Sequence, residues 1–221
     1  MFDYARDFLR FLFSSPKEQA KALALIKRMR SGRHYLGKSG YWRSLLEERS
    51  IDQDGNPIPW MNYSMIGFLT ERLSSDMTMF EYGSGYSSLF FARHCGSVVS
   101  LEHHKGFYEL IKGQALPNNQ IHFVGDSVED YCHFIKRDKT LYDVIVIDGI
   151  HRNDCAKTCL DNLAETGVIL FDDVNEYSWD DGIRHLKELG FKQFTMSGLK
   201  PQSYAGASTS IFYRSNNVFD L

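Results

Sequence analysis

Five places in this chain put a carboxylate at the end of a short apolar run. Glu81 follows MTMF, Glu102 closes SVVSLE, Asp126 follows QIHFVG, Asp148 follows YDVIVI, and the adjacent pair Asp172-Asp173 follows VILF. Apolar runs of this length, bounded by turn residues, read as buried strands. In parallel strands all five ends open on one edge, where ligands of open α/β sheets sit. Glu102 lies 17 positions past Gly85 and can accept hydrogen bonds from both hydroxyls of a ribose, with His103 beside it. Nicotinamide enzymes share that geometry, so it points to a nucleoside rather than to one cofactor. Asp148, Asp172 and Asp173 come from neighbouring strand ends and repel one another unless a cation lies between them. Hard oxygen donors with water in the remaining positions suit Mg²⁺, and Mn²⁺ or Ca²⁺ less well. The plainer reading has Asp148 lining a cofactor site and Asp172-Asp173 capping the next turn. His151, three residues past Asp148, can take a proton from an acceptor hydroxyl. It can equally serve as a hydrogen-bonding residue at a helix start.

The segment Phe80–Ser88, FEYGSGYSS, supplies the turn that would hold such a ligand. Gly83 and Gly85 let the backbone turn tightly and a ligand approach it. The helix that follows aims its free N–H groups into the same turn. A phosphate sits poorly beside Glu81, and a positively charged ligand sits well. S-adenosylmethionine carries an ammonium and a sulfonium and has no phosphate.

On these residues the chain resembles the class I S-adenosylmethionine-dependent methyltransferases, whose first motif reads Glu/Asp-x-Gly-x-Gly. Ser87 stands where the family commonly has a third glycine. The resemblance implies that Glu81, Tyr82, Gly83, Ser84, Gly85 and Ser87 hold the methionine part. It implies that Glu102 and His103 hold the ribose, and that Asp126-Ser127 read the adenine amino group. Asp126 is also a candidate N-cap ahead of Val128. The readings IDGIH at 147–151 and LFDDV at 170–174 are similar to the metal-dependent catechol-type O-methyltransferases and to sugar O-methyltransferases. That similarity implies a metal held by Asp148, Asp172 and Asp173. The sugar-methylating relatives carry a candidate base two residues past the first metal aspartate, where this chain has Ile150.

The alternation of strand and helix from Met77 onward predicts a Rossmann-like α/β three-layer sandwich. Strands are expected at 77–82, 97–102, 120–124, 142–147, 168–171, 191–196 and 208–214. The last two, with no helix between them, predict a hairpin and an antiparallel last strand in a mostly parallel seven-stranded sheet. Helices are expected to about Leu116 after the second strand, over 127–136, 153–164 and 179–189, and from Pro59-Trp60 through Leu73. Residues 197–207, SGLKPQSYAGA, read as a Gly-rich connector.

Residues 1–60 read as a helical and loop extension, with the methyltransferase-like domain at 61–221. Phe8, Leu9, Leu12 and Phe13 form an apolar cluster suited to packing on the domain or on a second subunit. Ser15-Pro16-Lys17-Glu18 opens a helix that Gly32 can end. Residues 33–60 read as loops that can cover the cofactor pocket, with Trp60 and Tyr63 as candidate acceptor contacts.

The 221 residues are 43% hydrophobic and 24% charged, an ordinary globular composition. Net charge is −3, which gives no general pull toward nucleic acid. Residues 1–50 hold 11 Lys/Arg against 5 Asp/Glu, on an acidic remainder. That asymmetry suggests docking of the extension on the body, on a homodimer mate or on an anionic surface. Cys95, Cys132, Cys155 and Cys159 lack metal spacing and read as buried free thiols of a reducing cytoplasm. No apolar run is long enough to span a membrane, and MFDYARDFLRFLF lacks the pattern of a secretory signal.

These readings converge on methyl transfer from S-adenosylmethionine, Mg²⁺-assisted, to an oxygen of a small hydroxylated acceptor such as a sugar. The rivals are an NAD-dependent oxidoreductase, a non-catalytic module that binds S-adenosylmethionine, and a metal-free N- or C-methylase. An oxidoreductase fingerprint wants glycine where Ser88 stands.

Overall fold

A computed structural model describes residues 15–30, 33–137, 139–175 and 177–221. Seven strands form one sheet: β1 (Thr78–Tyr82), β2 (Ser97–Glu102), β3 (Asn119–Phe123), β4 (Tyr142–Ile147), β5 (Leu163–Phe171), β6 (Lys192–Leu199) and β7 (Gly206–Tyr213). Their order is β3-β2-β1-β4-β5-β7-β6. The pairs among β1 to β5 are parallel, and β7 runs antiparallel to both β5 and β6. The strand order reverses between β1 and β4, so a crevice opens at their carboxyl ends.

Nine α-helices are described: α1 (Pro16–Arg30), α2 (Tyr35–Lys38), α3 (Tyr41–Glu47), α4 (Tyr63–Arg72), α5 (Tyr86–His94), α6 (Lys105–Lys112), α7 (Val128–Cys132), α8 (Arg152–Thr158) and α9 (Asp180–Glu188). The sheet is apolar on both faces, as a parallel sheet covered on both sides must be. One face buries Met79, Val98, Val144, Val146, Val168 and Leu170 against α4, α5 and α3. The other buries Phe80, Tyr82, Ile145, Ile147, Ile169 and Phe171 against α7, α8 and α9. The alternation within β4 is therefore an alternation of two cores rather than of core and solvent.

Several boundaries differ from the expectation. Residues 33–60 carry two short helices, because His34 caps α2 with its ring and the backbone reverses at Gly40, φ 80°. Asn62, not the Pro59-Trp60 step, starts α4, its side chain accepting from Met65 N. Strand β5 begins at Leu163, where Tyr142 pairs with it ahead of a register shift. The supposed connector 197–207 continues the hairpin, since Ser197 pairs with Ser208 and their hydroxyls meet at 2.7 Å. Ser15 caps α1 as expected, accepting from Glu18 N at 3.2 Å. The apolar cluster Phe8 to Phe13 and the stop at Gly32 lie outside the described residues. All four cysteines are buried and free.

Among the described residues no helix is long and apolar enough to cross a membrane. Tyr41 and Ile58 share the core of the first face with α4, so this part of residues 33–60 is packed onto the sheet.

Candidate functional site

The crevice at the β1–β4 junction is a cavity of about 640 Å³ lined by Gly83, Ser84, Glu102, His103, Asp148 and Gly149, among others. Its size suits a cofactor-sized ligand. Asp148 N donates to Tyr82 O at 3.0 Å and Asp172 N to Ile147 O at 3.1 Å, so the ends of β1, β4 and β5 are fixed to one another. The floor is two bare backbones in contact. A Cβ on Gly83 would lie 2.9 Å from Gly149 Cα, and one on Gly149 would lie 1.9 Å from Tyr131 Oη.

Glu81 is wholly buried beneath this turn. Its two oxygens accept hydrogen bonds from the hydroxyls of Ser87 and Ser88. Burial pushes its pKa up to about 7, against the lowering effect of those donors. The serine in place of the third glycine is thus a hydrogen-bond partner of the motif's own acid. Glu81 anchors the turn from below. Tyr82 also turns inward, its Oη donating to Cys132 O at 2.9 Å, so only its backbone faces the turn.

Glu102 is almost buried and accepts from four groups: Ser84 N and Oγ at 3.3 and 3.2 Å, His103 N at 2.9 Å and His104 N at 2.8 Å. One carboxylate therefore joins the glycine turn to the end of β2 while lining the cavity. Ser127, not Asp126, is the N-cap of α7, its Oγ accepting from Asp130 N at 3.1 Å. Asp126 is exposed, and its carbonyl lies 2.7 Å from His151 Nε2. That carbonyl can only accept, so Nε2 carries the proton and Nδ1 keeps a lone pair. His151 sits at φ 52°, at the start of α8.

Asp148, Asp172 and Asp173 do meet. Each offers an oxygen within 4.8 Å of the others, and no other such metal-capable group occurs among the described residues. Asp148 is pushed up to about 6, first by burial and then by Asp173 and Glu81, with Arg152 opposing. Asp172, 1% exposed, is raised further by burial and by its two acidic neighbours, while Thr209 donates to it.

The sequence reading missed the cations. Arg152 Nη2 lies 3.1 Å from Asp148 Oδ1 and Nη1 3.7 Å from Asp173 Oδ2. Lys200 Nζ lies 3.4 Å from Asp173 Oδ1 and 4.0 Å from the centre of the Trp60 ring. Arg152 opens α8 four residues past Asp148, across the turn that leaves β4, a short separation that could have revealed it. Lys200 arrives from the hairpin tip, and nothing local to Asp173 announces it. Gly149, His104, Gly106 and Phe107 also line the cavity without having been singled out. Trp60 is half-exposed beside Lys200, whereas Tyr63 is buried in the core of α4.

The donor set fits a divalent ion: three hard oxygens from three carboxylates, close enough to share one centre.

Residues 80–174 match the family model described as a methyltransferase domain. No curated protein matches the chain. Among solved structures, the precorrin-6Y C5,15-methyltransferase of Geobacter metallireducens GS-15 superposes with a TM-score of 0.56 at 15% identity, covering 68% of this chain and 87% of that one. A Staphylococcus aureus protein, inferred to be a caffeoyl-CoA O-methyltransferase, gives 0.55 at 14% identity, covering 86% and 98%. A methyltransferase-like protein of Silicibacter pomeroyi DSS-3 gives 0.51 at 21%, covering 71% and 89%. At these identities the likeness speaks for the fold.

Proposed function

We propose that this chain, whose residues 80–174 match the model of a methyltransferase domain, is a class I S-adenosylmethionine-dependent methyltransferase that methylates an oxygen of a small hydroxylated acceptor, such as a sugar, with help from Mg²⁺. The observation that carries this reading is the double membership of Asp148. It lines the cofactor cavity and belongs to the carboxylate triad. An acceptor oxygen held at the triad therefore lies next to the cofactor.

When bound, the cofactor supplies a methyl group already activated on sulfonium. The chain's part is to hold and orient. The Gly83–Ser84 turn and Glu102 hold the nucleoside and its methionine tail. Asp126 and Ser127, at the open end past β3, face the base. Asp148, Asp172 and Asp173 would hold Mg²⁺, which would supply Lewis-acid activation of an acceptor hydroxyl. His151, with its lone pair on Nδ1, receives the acceptor's proton. The segment from Tyr41 to Trp60 walls the acceptor side. It is tied to the hairpin tip by Tyr41 Oη donating to Ser203 O at 3.0 Å and Trp60 Nε1 donating to Pro201 O at 2.6 Å. The more basic residues 1–60 form an extension to a domain at 61–221 and are the candidate homodimer contact.

Calorimetry with S-adenosylhomocysteine and with NAD⁺ tests the cofactor half. The first binds and the second does not. Glu102→Ala weakens adenosylhomocysteine by about tenfold to a hundredfold, the worth of a charge-assisted hydrogen bond of ~1.5–3 kcal/mol. Mass-spectrometric detection of methylated products from sugar and catechol panels tests the transfer half. EDTA suppresses product and Mg²⁺ restores it, and Asp148→Asn loses product under both conditions. Full turnover in EDTA would move the reading to metal-free methylation. Tight cofactor binding with no product from any acceptor would favour a binding module.

A further inference from the structure

The three carboxylates already have counter-ions, and the two cations are held very differently. Arg152 is built in. Its Nε donates to Gly149 O at 2.9 Å and its Nη1 to Asp172 O at 2.7 Å; the two side chains are about equally shielded, 11% of Arg152 and 13% of Lys200 being exposed, so the difference lies in their partners. Removing it would orphan two backbone carbonyls at the ends of β4 and β5. Lys200 touches side chains alone among the described residues: Asp173 at 3.4 Å and the Trp60 ring at 4.0 Å. Its backbone is pinned at the hairpin tip, since the neighbouring Pro201 and Ser203 carbonyls accept from Trp60 and Tyr41. The ammonium can therefore leave Asp173 by stem rotation while the tip stays in place.

We propose that Lys200 decides whether the triad takes a divalent cation: its ammonium is the counter-ion of the ion-free site and leaves Asp173 when the ion enters. The inference rests on the metal reading above and concerns this chain's own residues. Charge balance supplies the argument. Three carboxylates, one fixed guanidinium and one divalent ion are neutral together. Keeping the ammonium as well leaves a surplus positive charge in a largely buried site, where repulsion is poorly screened. Without the ion, the ammonium and guanidinium leave one negative charge, which Thr209 eases by donating to Asp172. Trp60 gives the ammonium a second favourable contact on its ring face. The displaced lysine is on the acceptor side, beside Trp60, so ion loading and the arrangement of the acceptor mouth change together.

The test is Mn²⁺ titration of the full chain, followed by electron paramagnetic resonance, with S-adenosylhomocysteine present. Lys200→Met binds Mn²⁺ at least about tenfold more tightly than wild type, the scale on which residues touching a metal's ligands change its affinity. Lys200→Gln, of similar length and uncharged, gives the same gain and guards against a folding artefact in the first variant. Asp173→Asn in the Lys200→Met background removes the gain, which localises it to the triad. Equal or weaker Mn²⁺ affinity in both Lys200 variants, with the ion still bound by wild type, overturns this inference and leaves the metal reading standing. No Mn²⁺ bound at the triad in any variant overturns both.

Discussion

Gly83→Ala abolishes binding of S-adenosylhomocysteine at concentrations that saturate the wild type. Gly83 has φ 96°, a conformation that costs a residue with a Cβ roughly 1–3 kcal/mol. The added carbon would also stand 2.9 Å from Gly149 Cα and 3.0 Å from the Asp148 carbonyl. Those atoms are backbone and cannot rotate away. The β1 and β4 ends must separate, and Asp148 moves with them. Affinity falls at least about a hundredfold, equivalent to ~2.7 kcal/mol, and chemical denaturation registers a loss of stability as well. Gly85 is the control. Its φ of 177° is extended backbone, and a Cβ there meets nothing nearer than 3.6 Å. Gly85→Ala keeps wild-type stability. Calorimetry and urea unfolding of the two variants decide the matter, and unimpaired binding by Gly83→Ala would sink the account of the floor.

The two glycines look alike in the motif, and only one of them needs to be glycine. That contrast marks the limit of what could be read from the chain. The sheet was legible because β1, β2, β4 and β5 are apolar on both faces and end in carboxylates. Local pattern suffices for a buried parallel strand. Residues 33–60 were not legible, because α2 and α3 are short and owe their form to the His34 cap and the turn at Gly40 rather than to a periodic apolar face. The hairpin of β6 and β7 was legible, but its reach beyond Met196 and before Ser208 hid in a Gly- and Ser-rich stretch whose pairing includes the cross-strand hydroxyls of Ser197 and Ser208, 2.7 Å apart. The carboxylate triad was readable from strand ends alone. Its counter-ions were not, since Lys200 reaches Asp173 across 27 residues and the whole of α9. Three acids at neighbouring strand ends imply a neutralising cation, and the chain brings two of its own, Arg152 and Lys200.

Glu81→Gln removes the pH dependence of stability that this one acid imposes. The wild-type carboxyl has an ordinary value of 4.5 in the unfolded chain and about 7 in the fold, with burial the leading cause. Below pH 4.5 it is protonated in both states and the fold carries no penalty from it. Between 4.5 and 7 the unfolded state ionises first, so stability is lost as pH rises, and above 7 the loss is complete. At ~1.4 kcal/mol per unit, the loss is on the order of 3 kcal/mol. Glutamine cannot ionise, and it can still accept from one of Ser87 and Ser88 while donating to the other. Urea unfolding without cofactor at pH 5 and pH 8 therefore finds the variant gaining on wild type at the higher pH. Parallel behaviour of the two proteins would show that Glu81 stays ionised throughout. The same acid would favour a positively charged ligand in the turn above it. An arriving sulfonium and ammonium favour the carboxylate, so binding S-adenosylmethionine near pH 6.5 expels a proton from Glu81. Calorimetry in two buffers of different ionisation enthalpy measures that proton. Wild type releases more with S-adenosylmethionine than with S-adenosylhomocysteine, which lacks the sulfonium charge, and Glu81→Gln loses that difference.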